Sequence, residues 1–253
     1  MKKERLIAIL GRGCMMEYPG GPFKPTRDFD NWDLQAPPET ARPEVLAEKN
    51  DEDPNSVIGG GELNIAAAQI LYEELKPACI VFAYGDNGPA LQRKGFAGES
   101  EVMTNLFIEA MGTWRFNKNR ARVWDGNFWK TEGKASGTFN ELRNIFRLAE
   151  LMEYTEVVIV TIMDHMTRVG GMLAKHFMTD ELAYWKSRTR LEVTESILLR
   201  ADPKLFSDRI WEIFGSQSHI RELQRQVNGL TALRKGVTQT NQHGVTLGTA
   251  ATK

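Results

Sequence analysis

The sequence predicts an α/β fold: a mostly parallel sheet with helices on both faces, extended by C-terminal helices. Three observations predict it. Short segments rich in Ile, Val and Leu are apolar along their whole length, as strands buried on both faces are. Segments of helical length stand between them, with apolar residues recurring every three or four positions. The two kinds alternate four times, which belongs to a parallel sheet covered by helices. With right-handed crossovers this becomes a doubly wound, Rossmann-like sheet.

The first strand is read at residues 5–10, ending at the turn Gly11-Arg12-Gly13. Residues 15–56 differ in character, with an acidic bias and recurrent turn signals such as Pro19-Gly20-Gly21-Pro22 and Pro37-Pro38. They read as a long surface insertion holding one short helix near Pro43–Lys49. Such a segment serves as a lid, as a contact for a protein partner, or as a passive excursion. Gly59-Gly60-Gly61 then opens a helix in which Leu63, Ala66, Ala67, Ile70 and Leu71 share one face, and Pro77 stops it. Residues 78–83 form a second buried strand, closed by Gly85-Asp86-Asn87-Gly88.

A helix follows from Glu99 to Met111, with Val102, Met103, Leu106 and Ala110 inward. Arg122-Val123-Trp124 reads as a short strand ending at Asp125. Thr138 to Met152 is strongly periodic, with Phe139, Leu142, Phe146 and Ala149 on one face. Glu156 to Ile162 is the clearest buried strand, and a helix from about Met166 to Phe177 follows it. The sheet domain is thus placed at 1–185. Residues 186–236 read as a helical extension packed on it, with amphipathic helices at Pro203–Phe214 and Ser218–Leu233. Residues 237–253 show no apolar face and are predicted to form a flexible tail. The basic excess of the last third suits either phosphate contacts or a solvated helix surface.

Composition excludes several classes. The 253 residues carry 32 Lys/Arg against 33 Asp/Glu, a formal charge of −1, so no polyanion-coating protein and no nucleic-acid partner is expected. The apolar run Leu6–Leu10 is shorter than the roughly 7–15 residues of an export signal and far short of a membrane span. Cys14 and Cys79 are too few for a disulfide framework, and no CxxC pair offers a zinc site. A cytoplasmic protein without a membrane span is the expectation.

In an open parallel sheet, ligands bind beyond the carboxyl ends of the strands. That rule selects Gly11, Gly13, Gly85, Asp86, Asn87, Asp125, Thr161, Asp164 and His165, joined by Glu101, Thr138, Asn140 and Glu141 at helix starts. The sharpest stretch is Thr161-Ile-Met-Asp164-His165-Met-Thr-Arg168. His165 and Arg168 are three apart and share a helix face. A helix N-terminus attracts anions, and Arg168 adds a fork of donors suited to phosphate or carboxylate. His165 is a candidate general acid or base, and Asp164 an orienting or capping group. A cap with surface charges is the bland alternative.

Gly59-Gly60-Gly61 is either an anion-binding nest or a plain hinge. Gly11-Arg12-Gly13 lacks the third glycine of a dinucleotide fingerprint, because position 16 is Met16, and no Walker A motif occurs. Glu99, Glu101, Asp125, Glu141 and Asp164 with one His could hold Mg²⁺ or Mn²⁺ if they converged, but each also serves as a helix N-terminal charge, so no metal is expected. Gly170-Gly171 within a helix implies close packing on the sheet or a kink.

These loops, in this order, resemble the DUF218 family, which includes YdcF-like, SanA-like and ElyC-like proteins. The likeness rests on Leu10-Gly11-Arg12-Gly13, on Ala68 to Leu71-Tyr72 before Gly85, and on Ser100-Glu101-Val102-Met103. It rests most specifically on Gly137-Thr138-Phe139-Asn140-Glu141 joined to Val160-Thr161-x-x-x-His165-x-x-Arg168. It covers residues 5–178 apart from the insertion. The chain departs from the family pattern at Asn64, where an Arg is usual, at the order of Asn140 and Glu141, and at Ile162. The resemblance implies a Rossmann-like fold, links to envelope biogenesis, and S-adenosylmethionine as a ligand in some members. It marks His165 and Glu101 as catalytic candidates. Gly60, Gly61, Asn64, Thr138, Asn140, Glu141, Thr161, Asp164 and Arg168 become ligand-binding candidates beside the glycine turns. The ligand expected is an anionic, phosphate-bearing or nucleotide-like small molecule, either hydrolysed or transferred, or simply held by a binding or sensor module.

Overall fold

The computed structural model describes residues 4–11, 14–16, 23–25, 61–83, 99–115, 122–125 and 138–214, and beyond them 223, 226–228, 230–231, 234, 237–240 and 246–249. The elements in chain order are β1 (Arg5–Ile9), β2 (Cys14–Met16), β3 (Phe23–Pro25), α1 (Gly61–Leu75), β4 (Cys79–Phe82) and α2 (Glu99–Arg115). They continue with β5 (Arg122–Asp125), α3 (Thr138–Leu151), β6 (Glu156–Thr161), α4 (Met163–His176) and a 3₁₀ turn (Ala183–Arg188). The last are β7 (Thr189–Val193), α5 (Thr194–Ala201), α6 (Pro203–Phe214), β8 (Val237–Thr240) and β9 (Thr246–Thr249).

Five strands form one sheet in the order β5-β4-β1-β6-β7, and every pair is parallel. Counted along the chain, these strands lie 3-2-1-4-5, the doubly wound Rossmann-like order. The order reverses between β1 and β6, so the switch point lies where Leu10 and Thr161 leave the sheet. Leu10 N–H donates to the Val160 carbonyl there (2.9 Å). At the opposite edge Arg5 donates to Glu156 Oε2 through Nη2 (2.8 Å) and Nε (3.0 Å), and to the Leu75 carbonyl through Nη1 (3.2 Å), fixing the β1/β6 register.

Uniform apolarity has its reason in two cores. Strand side chains alternate between faces. Ile7, Ile9, Ile80, Phe82, Val158 and Val160 pack with residues of α1, α2, α5 and α6. Leu6, Ala8, Cys79, Val81, Val157 and Ile159 pack on the other face with α3, α4 and Trp185. Lys76 ends α1 in the left-handed region (φ 47°), its N–H donating to the Tyr72 carbonyl (3.1 Å), and Pro77 prevents continuation. Within α2, Gly112 takes φ 64°, a conformation that suits glycine alone.

Several expectations are corrected. Ala110 is exposed, and the buried stripe of α2 runs Met103, Phe107, Met111 at four-residue steps, because the helix rotates its larger side chains inward. Helix α4 starts at Met163, three residues before the expected start, so Asp164 and His165 belong to its first turn. The sheet does not stop before residue 186: Thr189–Val193, read as part of a helical extension, pairs in parallel with β6. Its charged residues mark it as an edge strand. The predicted flexible tail contains an antiparallel pair, β8 with β9, and β2 pairs with β3 at the start of the 15–56 segment. Threonine-rich stretches such as 237–240 have the β-branched character that strands favour. The helix expected at Pro43–Lys49 lies outside the described residues. Among the described residues no helix is long and apolar enough to cross a membrane.

Gly170 sits within α4, and a Cβ added there would meet Leu191 Cδ2 of β7 at 3.8 Å, an ordinary contact. The packing therefore does not demand glycine. Gly170→Ala is expected to raise stability by about 0.5–1 kcal/mol, through a smaller loss of backbone entropy on folding. Urea denaturation checks this, and a loss of stability would mean that α4 and β7 sit closer than the structure has them.

Candidate functional site

The β1/β6 switch point is where a sheet of this order opens a crevice for a ligand. Its two flanks differ. On the α1/α5 side, Asn64 is fully buried. Its Nδ2–H donates to the Leu10 carbonyl (2.9 Å), and its Oδ1 accepts from the Thr194 hydroxyl (2.8 Å). Asn64, a ligand candidate in the sequence, thus has both ends of its amide engaged within the protein. It ties the exit of β1 to α1 and to the first residue of α5.

The start of α4 is also provided for. Met163 N–H donates to Glu195 Oε2 at 2.9 Å, and Glu195 is fully buried. The helix dipole and this N–H favour a negative group there. An external anion was expected at this helix end, but the protein supplies a carboxylate of its own. Thr194 and Glu195 escaped the sequence reading. Thr-Glu opening a helix resembles an ordinary cap, and only the fifth strand carries the pair to the end of β6.

On the α3/α4 side the situation is reversed. Alternation along β6 turns Thr161 to the same face as Val157 and Ile159. Thr161 is 1% exposed, and its hydroxyl has no hydrogen-bond partner among the described residues. His165 lies in the first turn of α4, on the helix side that also buries Val169, Met172 and His176. The residue is partly exposed, but its Nε2 is shielded from solvent and has no partner among the described residues. Buried polar atoms are almost always paired. Two orphans on one flank of a switch point are therefore a local concentration of unmet hydrogen bonding.

Burial, and then the Arg168 guanidinium, push the His165 pKa down to about 3. The imidazole is neutral at physiological pH, so in this state it gives or takes a hydrogen bond and is a poor proton carrier. Its folded pKa lies below the unfolded value of 6.5, so its contribution to stability is complete above pH 6.5 and is lost as pH falls toward 3. The loss approaches about 1.4 kcal/mol per pH unit, or about 2 kcal/mol by pH 5. His176, lowered chiefly by burial, acts in the same direction. His165→Gln is expected to flatten the stability profile between pH 7 and pH 5. Denaturant titrations at both pH values check this, and equal losses in both proteins would refute it.

An open cleft of about 320 Å³ lies on the other side of the α4 N-terminus, lined among the described residues by Met163, Asp164, Thr167, Phe214 and Leu223. Of the remaining candidates, Gly11 follows β1, Thr138 and Glu141 occupy the partly buried first turn of α3, and Arg168 is partly buried on α4. Gly61, Glu101 and Asn140 have their backbones in the first turns of α1, α2 and α3. Gly13, Gly60, Gly85, Asp86 and Asn87 lie outside the described residues. Among the described residues no three His, Cys, Asp or Glu side chains form a group that could hold a metal ion. No family model, curated protein or solved structure matches this chain.

Proposed function

We propose that the chain binds a small molecule carrying an anionic, phosphate-like group at the C-terminal edge of the sheet, on the α3/α4 side of the switch point. The observation that carries this reading is the pair of buried groups there without partners among the described residues, the Thr161 hydroxyl and His165 Nε2. A ligand oxygen is what both can bond, and the positive charge of Arg168 lies on the same helix face. Because Glu195 occupies the first N–H of α4, side-chain donors rather than the helix end hold the anion.

The neutral state of His165 favours holding a ligand over moving a proton. A binding or sensor module is thus the better-supported form of the reading, and hydrolysis or group transfer, with Glu101 as acid-base, is the alternative form. The DUF218 resemblance supports the same motif residues. A cytoplasmic setting is consistent with Cys79 being a buried thiol outside any disulfide.

The test is calorimetry and thermal shift with inorganic phosphate and nucleoside monophosphates, with mass spectrometry for products. Thr161→Val and His165→Gln are each expected to weaken phosphate binding by about tenfold, the value of one hydrogen bond to a charged group. Unchanged affinity in both variants would overturn the reading.

A further inference from the structure

The cleft between α4 and α6 differs in chemistry from the Thr161/His165 flank. Residues Met163 and Thr167 are one turn apart and share a side of α4, while His165 points to the opposite side. The cleft is lined by Met163, Phe214 and Leu223, with Thr167 and the mostly buried Asp164 at one side. Met163 and Leu223 remain 45% and 43% exposed, more than a packed core would leave. Trp211 is 71% exposed and meets the Phe214 ring edge-on at 6.1 Å, extending the apolar surface.

We infer that this cleft is a second half-site, taking a flat, N–H-bearing heteroaromatic group of the same ligand, of the kind a nucleobase presents. Charge decides against an anion. Asp164 brings negative charge to the cleft, and Glu195 lies buried at the same helix end. A carboxylate offers up to four acceptor positions, so Asp164, at 7% exposure, has capacity for an N–H from the cleft beside its contacts within the protein. The soft Met163 thioether and the Phe214 ring favour a ring face over a branched chain. The volume is at the lower end of small-molecule sites, enough for a ring system with a sugar. The N-terminal turn of α4 stands between the halves, so a ligand anionic at one end and aromatic at the other spans it. This joining of the two ends rests on the function proposed above, whereas the cleft assignment does not.

Adenosine, AMP, inorganic phosphate and phenethylamine serve as probes on the full chain, read by calorimetry and saturation-transfer NMR. Adenosine and AMP are expected to bind, and Asp164→Asn to weaken both by about tenfold while leaving inorganic phosphate unchanged. Thr167→Trp fills the cleft from an exposed position, so folding is spared. It is expected to abolish adenosine binding with phosphate affinity intact. No adenosine binding, or adenosine binding indifferent to both variants, overturns the cleft assignment. Binding of phenethylamine without adenosine overturns it too, in favour of a simple amine site. Failure of phosphate alone, with adenosine sensitive to Asp164 and Thr167, sinks the anion-binding reading and leaves this half-site standing.

Discussion

Trp185→Ala is expected to cost about 3–5 kcal/mol, the usual loss when a large aromatic leaves a packed core. Trp185 is 1% exposed and lies in the 3₁₀ turn that leads into β7. Its ring centroid is 5.8 Å from that of Phe146 of α3 and 5.4 Å from that of Tyr184. Its Nε1–H donates to Glu150 Oε1 of α3 at 3.0 Å. One side chain thus fastens the approach to the edge strand onto the helix layer. For a chain of this size the loss amounts to a melting-temperature drop of about 6–20 °C. Trp185→Phe keeps the aromatic contact and leaves the carboxyl of the exposed Glu150 to water, so it should lose clearly less. Urea denaturation and thermal melts separate the two. A Trp185→Ala variant within about 1 kcal/mol of the parent would show that β7 docks without this anchor.

Asn64→Ala is expected to cost about 2–4 kcal/mol, because it leaves two buried groups without a partner. The Leu10 carbonyl loses its side-chain donor, and the Thr194 hydroxyl loses its acceptor. Neither can reach water, since Leu10, Asn64 and Thr194 are all at most 2% exposed. Thr194→Val alone leaves Asn64 Oδ1 unpaired and should cost less. The double variant should lose less than the sum of the two single losses, because the hydroxyl stranded by Asn64→Ala is no longer present. A double-mutant cycle from denaturant midpoints reads this coupling. Strict additivity would mean that the two side chains act independently. Asn64→Asp retains the acceptor but turns an oxygen toward the Leu10 carbonyl, so it is expected to rescue little.

Most of the sheet was legible because it obeys one rule. Buried on both faces, β1, β4 and β6 carry no polar register to disguise them, and the helices between them show regular stripes. β7 was not legible for the opposite reason. Its central Leu191 packs against α4 on one face, while Arg190 and Glu192 on the other form an ion pair at 2.9 Å. A five-residue strand with two charges, set in a basic stretch, resembles the helical surroundings. The stretch from Thr161 to Arg168 was legible as the exit of the last uniform strand. The roles of its neighbours were not. Whether Asn64 faces a ligand or closes a corner depends on Thr194, which lies 130 residues further along the chain. Whether the α4 end is open depends on Glu195, and no spacing rule connects that residue to Met163.

The strand order also has a consequence for biosynthesis. β1 is made first, yet it lies at the centre of the sheet, between β4 and β6. Its partner Glu156 is 151 residues away from Arg5. A ribosome extending the chain by about 5–20 residues each second therefore leaves this strand without its β6 partner for roughly 8–30 s. During that interval Leu6, Ile7, Ala8 and Ile9 present at least one bare edge to solvent or to a chaperone. Closing so long a loop adds little entropic penalty, since each doubling of length costs only about 0.6 kcal/mol. The native state thus tolerates so long a separation between paired strands at small thermodynamic expense, and the burden falls on the nascent chain, whose first strand must be shielded until its second neighbour emerges.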